Sequence, residues 1–308
     1  MSSSVRQMIS ENQLVTWSNP GGTDNSQRAH TSVRNALEAL DSPIRDRDFE
    51  IFLQGSYKNS TNIRADSDVD LVVQLNEVFY KDLSRLPADQ QAKQVRDYAV
   101  YGPGRHNAQD WRRDVEAALR TKFGNALKQG NGKAFHLVTG PGNMTADVLP
   151  AVLFKNYTFF AATNNERFQE GLEFADPAGN YIVNYPKIHI KNGEAKNSQQ
   201  QARGHYKPAV RMFKNARNRA VERSFLRDGD APSYFIECLL YNVPNECFTA
   251  GMQETYAAVV NHLSGTVIDA YLCQNGLLNL FGSASTQWNT IDARAFIHAL
   301  ARLWNEGV

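Results

Sequence analysis

Cysteine, net charge and long apolar runs are all scarce in this chain, and each scarcity removes a class of function. Only 3 cysteines occur in 308 residues. Cys238, Cys247 and Cys273 form no Cys-x-x-Cys pair and lie at no histidine spacing suited to zinc, so neither a disulfide framework nor a zinc site is expected. Their neighbours (Ile236, Leu239, Leu240, Phe248, Tyr271, Leu272) mark them instead as buried core thiols. No segment approaches the roughly 18 apolar residues of a membrane helix, and the polar start Met1-Ser2-Ser3-Ser4-Val5-Arg6-Gln7 lacks the apolar core of a signal peptide. A soluble, cytoplasmic protein with no membrane partner is therefore predicted. Charge of one sign is also missing, with 33 basic against 32 acidic residues and a net of +1. A protein that coats nucleic acid carries a clear basic excess. No internal repeat is present.

What remains is an ordinary globular composition, 42% hydrophobic and 10% aromatic, which argues against disorder. The length suits two compact units or one large domain. Apolar residues at helical spacing (Val33, Ala36, Leu37, Leu40) predict a helix from Asp24 to Leu40 behind the cap Thr23-Asp24. Strands are expected at about 49–54 and 68–75, and helices at about 84–100 and 108–128, the latter with Trp111, Val115, Leu119 and Phe123 on one stripe. Residues 133–190 read as strands, rich in β-branched and aromatic residues between Gly, Pro and Asn clusters. The polar stretch Lys191 to Gly204 reads as a mobile connection. Beyond it, helices are expected at about 205–222, 232–242, 250–264, 267–274 and 290–305. The pattern predicts an α+β fold of a mixed sheet (residues 1–190, with an N-terminal bracing helix) and a helical part (191–308), two lobes around an active-site cleft.

The chemistry concentrates between Gly55 and Asp70. The apolar run Phe49-Glu50-Ile51-Phe52-Leu53 ends at Gly55-Ser56, and after a polar link a second strand opens with Asp68-Val69-Asp70-Leu71-Val72-Val73. Side chains two apart on a strand share a face. Two carboxylates there repel one another unless a cation lies between them, and Mg²⁺ is commonly held by one or two carboxylates plus substrate phosphates. Gly55 and Ser56 offer the other half of such a site, backbone N–H groups able to approach a phosphate and a hydroxyl donor. The bland alternative, a solvated strand edge with two surface acids, leaves the Gly-Ser pair unexplained.

The string Gly-Ser-Tyr…Thr-x-Ile-Arg…Ser-Asp-Val-Asp-Leu-Val-Val resembles the DNA polymerase β-like nucleotidyltransferases. More narrowly, it resembles the bacterial CD-NTase family, cyclic-oligonucleotide synthases (DncV among them) related to animal cyclic GMP-AMP synthase and oligoadenylate synthase. The resemblance implies a polymerase β-like sheet with a helical oligoadenylate-synthase-like lobe. It implies a third acid as well, and Asp147 in Thr145-Ala146-Asp147-Val148-Leu149-Pro150-Ala151 matches that motif. An acid in an apolar strand is costly unless paired or metal-bound, although an edge-strand aspartate facing water would serve. Asp68, Asp70 and Asp147 would then be catalytic and hold two Mg²⁺ ions, with Mn²⁺ able to substitute.

Further nucleotide-binding residues are carried over from the same resemblance. Lys207, Arg211 and Lys214 share one helical face, a pattern that by itself usually marks a solvated surface; the family places a lysine at the Lys214 position against the triphosphate. Ser233-Tyr234 matches a helix start whose serine reaches phosphate and whose aromatic stacks on a base. Read alone, Ser233 is a helix N-cap and Tyr234 core. Arg64 could meet phosphate or pair with Asp66. His189 reads as a structural histidine, and the other six show no ligand spacing. Base choice would rest on pocket side chains such as Asn156 or Tyr157.

The family implies nucleoside triphosphates as substrates and a cyclic di- or trinucleotide product, read by a separate effector in anti-phage signalling. A linear-oligonucleotide or RNA-tailing enzyme is the alternative, and a catalytically dead scaffold a more distant one. Lacking the zinc insertion of the animal enzyme, the chain shows no need of a nucleic-acid activator. The tail at Gly307-Val308 offers a regulatory protein partner a foothold, since some relatives are controlled there; the plainer reading is a frayed helix end.

Overall fold

A computed structural model describes residues 8–22, 24–64, 68–102, 107–130, 132–139, 144–176 and 178–307. The chain divides into two compact units, one of Thr23–Tyr57 and Ser67–Ile188 and the other of Met1–Gly22, Lys58–Asp66 and His189–Val308. Each unit thus draws on separated stretches of chain, which a single cut at 190 does not describe.

The first unit is built on a mixed seven-stranded sheet. Its strands are β1 (Phe49–Leu53), β2 (Asp68–Asp82), β3 (Leu127–Gln129), β4 (Phe135–Thr139), β5 (Met144–Ala162), β6 (Asn165–Ala175) and β7 (Tyr181–Asn184). The order is β1-β2-β5-β4-β3, with β6 pairing β5 and β7 pairing β6. Within the sheet, β2 and β5 run parallel, whereas β1–β2, β3–β4, β4–β5, β5–β6 and β6–β7 are antiparallel.

Alternation along the strands assigns the two faces. Val69, Leu71 and Val73 of β2, Ala146 and Val148 of β5, and Phe135 and Leu137 of β4 are buried in one core. That core also takes Ala29, Val33, Ala36 and Leu37 from the helix Asp24–Leu37 and Trp111, Val115 and Leu119 from the helix Ala108–Phe123. The opposite face buries Val72, Leu149, Ala151, Leu172 and Phe174. Trp111 is fully buried, and its indole N–H donates to the Val73 carbonyl at 2.9 Å, fixing the helix against β2. Both helices stop earlier than their patterns predict. The first ends at Leu37, leaving Leu40 83% exposed, and the second ends where Gly124 takes a left-handed φ of 50°. The helix at 84–100 is Ala88–Ala99.

The second unit is helical. In chain order its helices are Glu11–Ser18, Pro186–Asn197 (whose first residues belong to the sheet unit), Tyr206–Glu222, Ser233–Tyr241, Met252–Gly265 and Thr290–Glu306. Their core holds Tyr206, Phe213, Tyr256, Trp288 and Phe296, with Phe213 and Tyr256 stacked at 5.0 Å. Two expectations of secondary structure fail here. Residues 191–197 continue a helix instead of forming a mobile connection, because packing holds a stretch that Asn192, Gly193 and Asn197 would weaken. The Asn192 amide donates to the Gln274 carbonyl, and the buried Lys196 ammonium donates to the Val243 carbonyl at 2.6 Å. Residues 267–274 form no helix; Leu272 instead bridges Asn279, and Gly276 turns the chain with a φ of 70°.

Cys238 and Cys273 are buried, Cys247 half-buried, and all three are free thiols. The end of the last helix is not frayed: Gly307 is buried, its N–H bonds to Leu303 and its carbonyl accepts from Arg223, while Val308 lies outside the described residues. Among the described residues no helix is long and apolar enough to cross a membrane. Trp111→Ala is expected to cost about 3–5 kcal/mol, read as a lowered urea midpoint.

Candidate active site

The parallel register of β2 and β5 sets Asp70 directly opposite Asp147, and Asp68 opposite Thr145. On the other side of β5, antiparallel pairing sets His136 of β4 opposite Asp147. Directly opposed residues point to the same face, so Asp70, Asp147 and His136 form one row across three strands, with Asp68 two residues along. All four are half-buried, on the face away from the core that holds Val69, Leu71, Phe135 and Leu137. The His136 Nδ1 lies 2.8 Å from the Asp147 Oδ1. Asp68, His136 and Asp147 each offer a ligand atom, and these atoms lie within 4.8 Å of one another. Hard carboxylate oxygens and an imidazole, converging on rigid strands, suit a divalent cation.

A glycine is required beside this row. The Gln54 N–H donates to the Asp70 carbonyl at 3.0 Å, which brings the end of β1 against the acid. Gly55 follows with a φ of +66°, and a Cβ placed there would lie 2.0 Å from Asp70 Oδ2. Any side chain would strike the carboxylate. Ser56 is half-buried next to it, in a five-residue helix Gly55–Asn59 where the sequence suggested the start of a polar link.

The helical unit treats its expected site residues differently. Lys214 is fully buried, and its Nζ lies 2.8 Å from Glu237 Oε1 and 3.1 Å from the Thr61 carbonyl. Glu237 also accepts from the Thr61 hydroxyl at 2.6 Å and lies 3.2 Å from His189 Nε2. Burial alone would raise the Glu237 carboxyl, but the Lys214 ammonium and His189 hold it well below the usual carboxylate range. Lys214, expected against a triphosphate, is placed in an internal ion pair. A lysine withdrawn from water needs its counter-ion, and here that is a protein carboxylate the sequence reading never considered.

Arg211 is likewise internal. It donates to the carbonyls of Ser18 and Ser60, the latter residue held at a left-handed φ of 56°. Lys207 remains half-buried, its ammonium pulled below the ordinary lysine value by burial, with Arg211 and Lys58 adding to that. Ser233 is the first residue of its helix and not the cap, which is Pro232; the Arg217 guanidinium donates to its hydroxyl at 3.4 Å. Tyr234 stacks on the His189 ring at 5.3 Å and is 36% exposed. Arg64 is exposed, and Asp66 lies outside the described residues. Asn156 and Tyr157 are interior: the Asn156 amide bonds to the Tyr185 hydroxyl and the fully buried Tyr157 donates to Glu166.

The geometry of a Gly55-backed acid row on a mixed sheet coincides with the comparisons to known proteins. Residues 32–139 match a nucleotidyltransferase domain, and residues 191–305 match the cGAS/DncV-like nucleotidyltransferase C-terminal helical domain. A cyclic UMP-AMP synthase of Rhodothermus marinus is 39% identical over 96% of this chain and 98% of its own. The chain belongs to the bacterial CD-NTase family. It is accordingly a nucleotidyltransferase, with the polymerase β-like fold. A cyclic nucleotide synthase of Staphylococcus haemolyticus is 34% identical over 97% of this chain and 99% of its own. The solved Rhodothermus marinus c-UMP-AMP synthase superposes with a TM-score of 0.83 over 96% of each chain, at 38% identity. An Elizabethkingia meningoseptica cyclic dinucleotide synthase superposes at 0.74 over 96% of this chain and 98% of its own, at 30% identity.

Gly55→Ala is expected to destabilise the chain by at least about 1–2 kcal/mol from backbone conformation alone, seen as a lower urea midpoint. Lys214→Met strands a buried carboxylate and is expected to cost about 3–5 kcal/mol, whereas Lys214→Met with Glu237→Gln costs less. Because the Glu237 carboxyl is depressed in the fold, its stabilisation is present above the ordinary value of 4.5 and is lost as pH falls toward the folded value. The stability–pH profile of the double variant should therefore be flatter below 4.5 than that of the wild type, by chemical denaturation at each pH.

Proposed function

We propose that this chain condenses nucleoside triphosphates into a cyclic di- or trinucleotide, releasing pyrophosphate at each bond formed. The observation that carries the reading is the in-register row of Asp70 and Asp147, flanked by Asp68 and backed by a glycine whose left-handed backbone and contact with Asp70 would strain any other residue. The named products of relatives covering nearly the whole chain, cyclic UMP-AMP among them, support it.

Asp68, Asp70 and Asp147 are the residues that would hold Mg²⁺ or Mn²⁺, two ions in the expected form. Bound there, such ions neutralise charge at the α-phosphate and on the leaving pyrophosphate and lower the pKa of the attacking hydroxyl. The bond made joins a ribose hydroxyl oxygen to the α-phosphorus. The bond broken is the one to pyrophosphate, which leaves with the electron pair, and the hydroxyl proton passes to solvent. The chain contributes positioning more than reactivity: strands fix the carboxylates, Gly55 lets backbone approach closely, and the Ser56 hydroxyl is a donor for phosphate oxygens. Arg64 and Tyr234, both exposed, and Ser233 are retained as proposed nucleotide contacts. No covalent nucleophile is involved.

In this reading the product is a second messenger made in the cytoplasm, recognised by a separate effector protein in defence against phage. The test is incubation with all four ribonucleoside triphosphates and Mg²⁺ or Mn²⁺, phosphatase treatment, and mass analysis of the products. A phosphatase-resistant species with a mass equal to whole nucleotides and no terminal phosphate or added water is expected. Asp70→Asn should lose at least about a hundredfold of that product, beyond what outer partners of a metal contribute. Only linear products, or nucleotides added to RNA, would overturn the cyclic reading.

A further inference from the structure

His136 is the one member of the row that transfer chemistry with three acids does not require, and no spacing in the sequence singled it out. We propose that His136 is a direct nitrogen ligand of the divalent ion held by Asp68 and Asp147, and that this ligand biases the site toward Mn²⁺ over Mg²⁺. The inference rests on the metal site of the proposed function and adds a donor of different chemistry to it.

Three observations place His136 among the donors that face a shared ion. His136 Nδ1 stands 2.8 Å from Asp147 Oδ1. Neighbouring donors around an octahedral ion with bonds of 2.0–2.1 Å are about 3 Å apart, so the pair already has the separation of two adjacent ligands. Asp68 adds a third ligand atom within 4.8 Å of both. These three side chains come from three different strands, β4, β5 and β2, in a register fixed by the sheet.

Placement of the imidazole is also hard to change. Its chain neighbours Phe135 and Leu137 are fully buried on the opposite face. Turning His136 away would expose both, because a strand reverses all its side chains together. The ring is therefore held at the acids by the core behind it.

The chemical consequence follows from donor type. Carboxylate oxygens suit Mg²⁺ and Mn²⁺ alike, whereas an imidazole nitrogen suits transition metals and is a poor partner for Mg²⁺. A site of aspartates alone would discriminate weakly. Adding His136 raises the affinity for Mn²⁺ selectively.

The experiment uses the full chain with Mn²⁺ alone, followed by pulsed electron paramagnetic resonance. Direct ligation predicts nitrogen modulation from a bound imidazole, which changes isotope pattern when the chain is labelled with ¹⁵N-histidine; this arm needs no substitution and so no concern over folding. In His136→Gln the modulation should vanish and Mn²⁺ affinity fall about tenfold or more, with Mg²⁺ affinity, measured by competition, changed much less. Mn²⁺ bound without nitrogen modulation overturns the inference, and leaves a site of acids with the proposed reaction intact. Failure of the metal-loaded chain to show any Mn²⁺ signal, while cyclic product still forms with Mg²⁺, overturns it equally. Nitrogen modulation in a chain that makes no cyclic product would sustain the ligand assignment and remove the reaction instead.

Discussion

One register governs the candidate site: the parallel pairing that sets Asp70 of β2 against Asp147 of β5. A strand carries its side chains with period two, so a slip of one residue would turn Asp147 into the core and bring Ala146 or Val148 out. The slip is prevented from behind the sheet. Ala146 and Val148 are fully buried with Val69 and Leu71, and the apolar face has no tolerance for a carboxylate. The hydrophobic pattern thereby fixes the geometry of a candidate site that it does not touch. A parallel pair also needs a long connection, and here the stretch between β2 and β5 supplies Trp111, which anchors on the Val73 carbonyl three residues beyond Asp70.

Repulsion among the acids is the cost of this arrangement, and the surroundings show how it is tolerated. The carboxylates stay half-buried, where water still screens them. His136 gives Asp147 a polar partner, and Gly55 gives Asp70 room. The helical unit solves the opposite problem. Its Lys214 and Glu237 are almost entirely withdrawn from water, so they must satisfy each other, and Thr61 and His189 take up the remaining carboxylate capacity. A half-buried site can share its charge with water or a ligand, whereas a buried one must close its own charge balance.

That contrast explains which expectations from the sequence hold. Where function depends on local order, the residues could be read directly. Asp68 and Asp70 lie two apart on one strand, and alternation with Val69 and Leu71 already puts them on one face. Gly55 followed a strand and preceded the acids, and its left-handed backbone and contact with Asp70 give the physical need for it. The helices with clear apolar stripes, around Val33 and around Trp111, were legible for the same reason, though their ends were set by local turns such as Gly124.

Residues whose meaning depends on distant partners were not legible. The periodicity that puts Lys207, Arg211 and Lys214 on one face is real, but it cannot say whether that face meets solvent, a phosphate or Glu237, which lies 23 residues on from Lys214. Residues 191–197 look polar and unstructured until Gln274 and Val243 supply acceptors for them. His136 was equally hidden: alternation between Phe135 and Leu137 gives its face, and only the pairing of β4 with β5 gives its neighbour. The sequence by itself determined the family, the sheet-then-helices order and two of the acids, because these rest on spacing along one chain segment. The tertiary structure alone decided that His136 joins the acids and that Lys214 pairs with Glu237. Both outcomes come from strand register and burial, which are properties of segments far apart in sequence meeting in space.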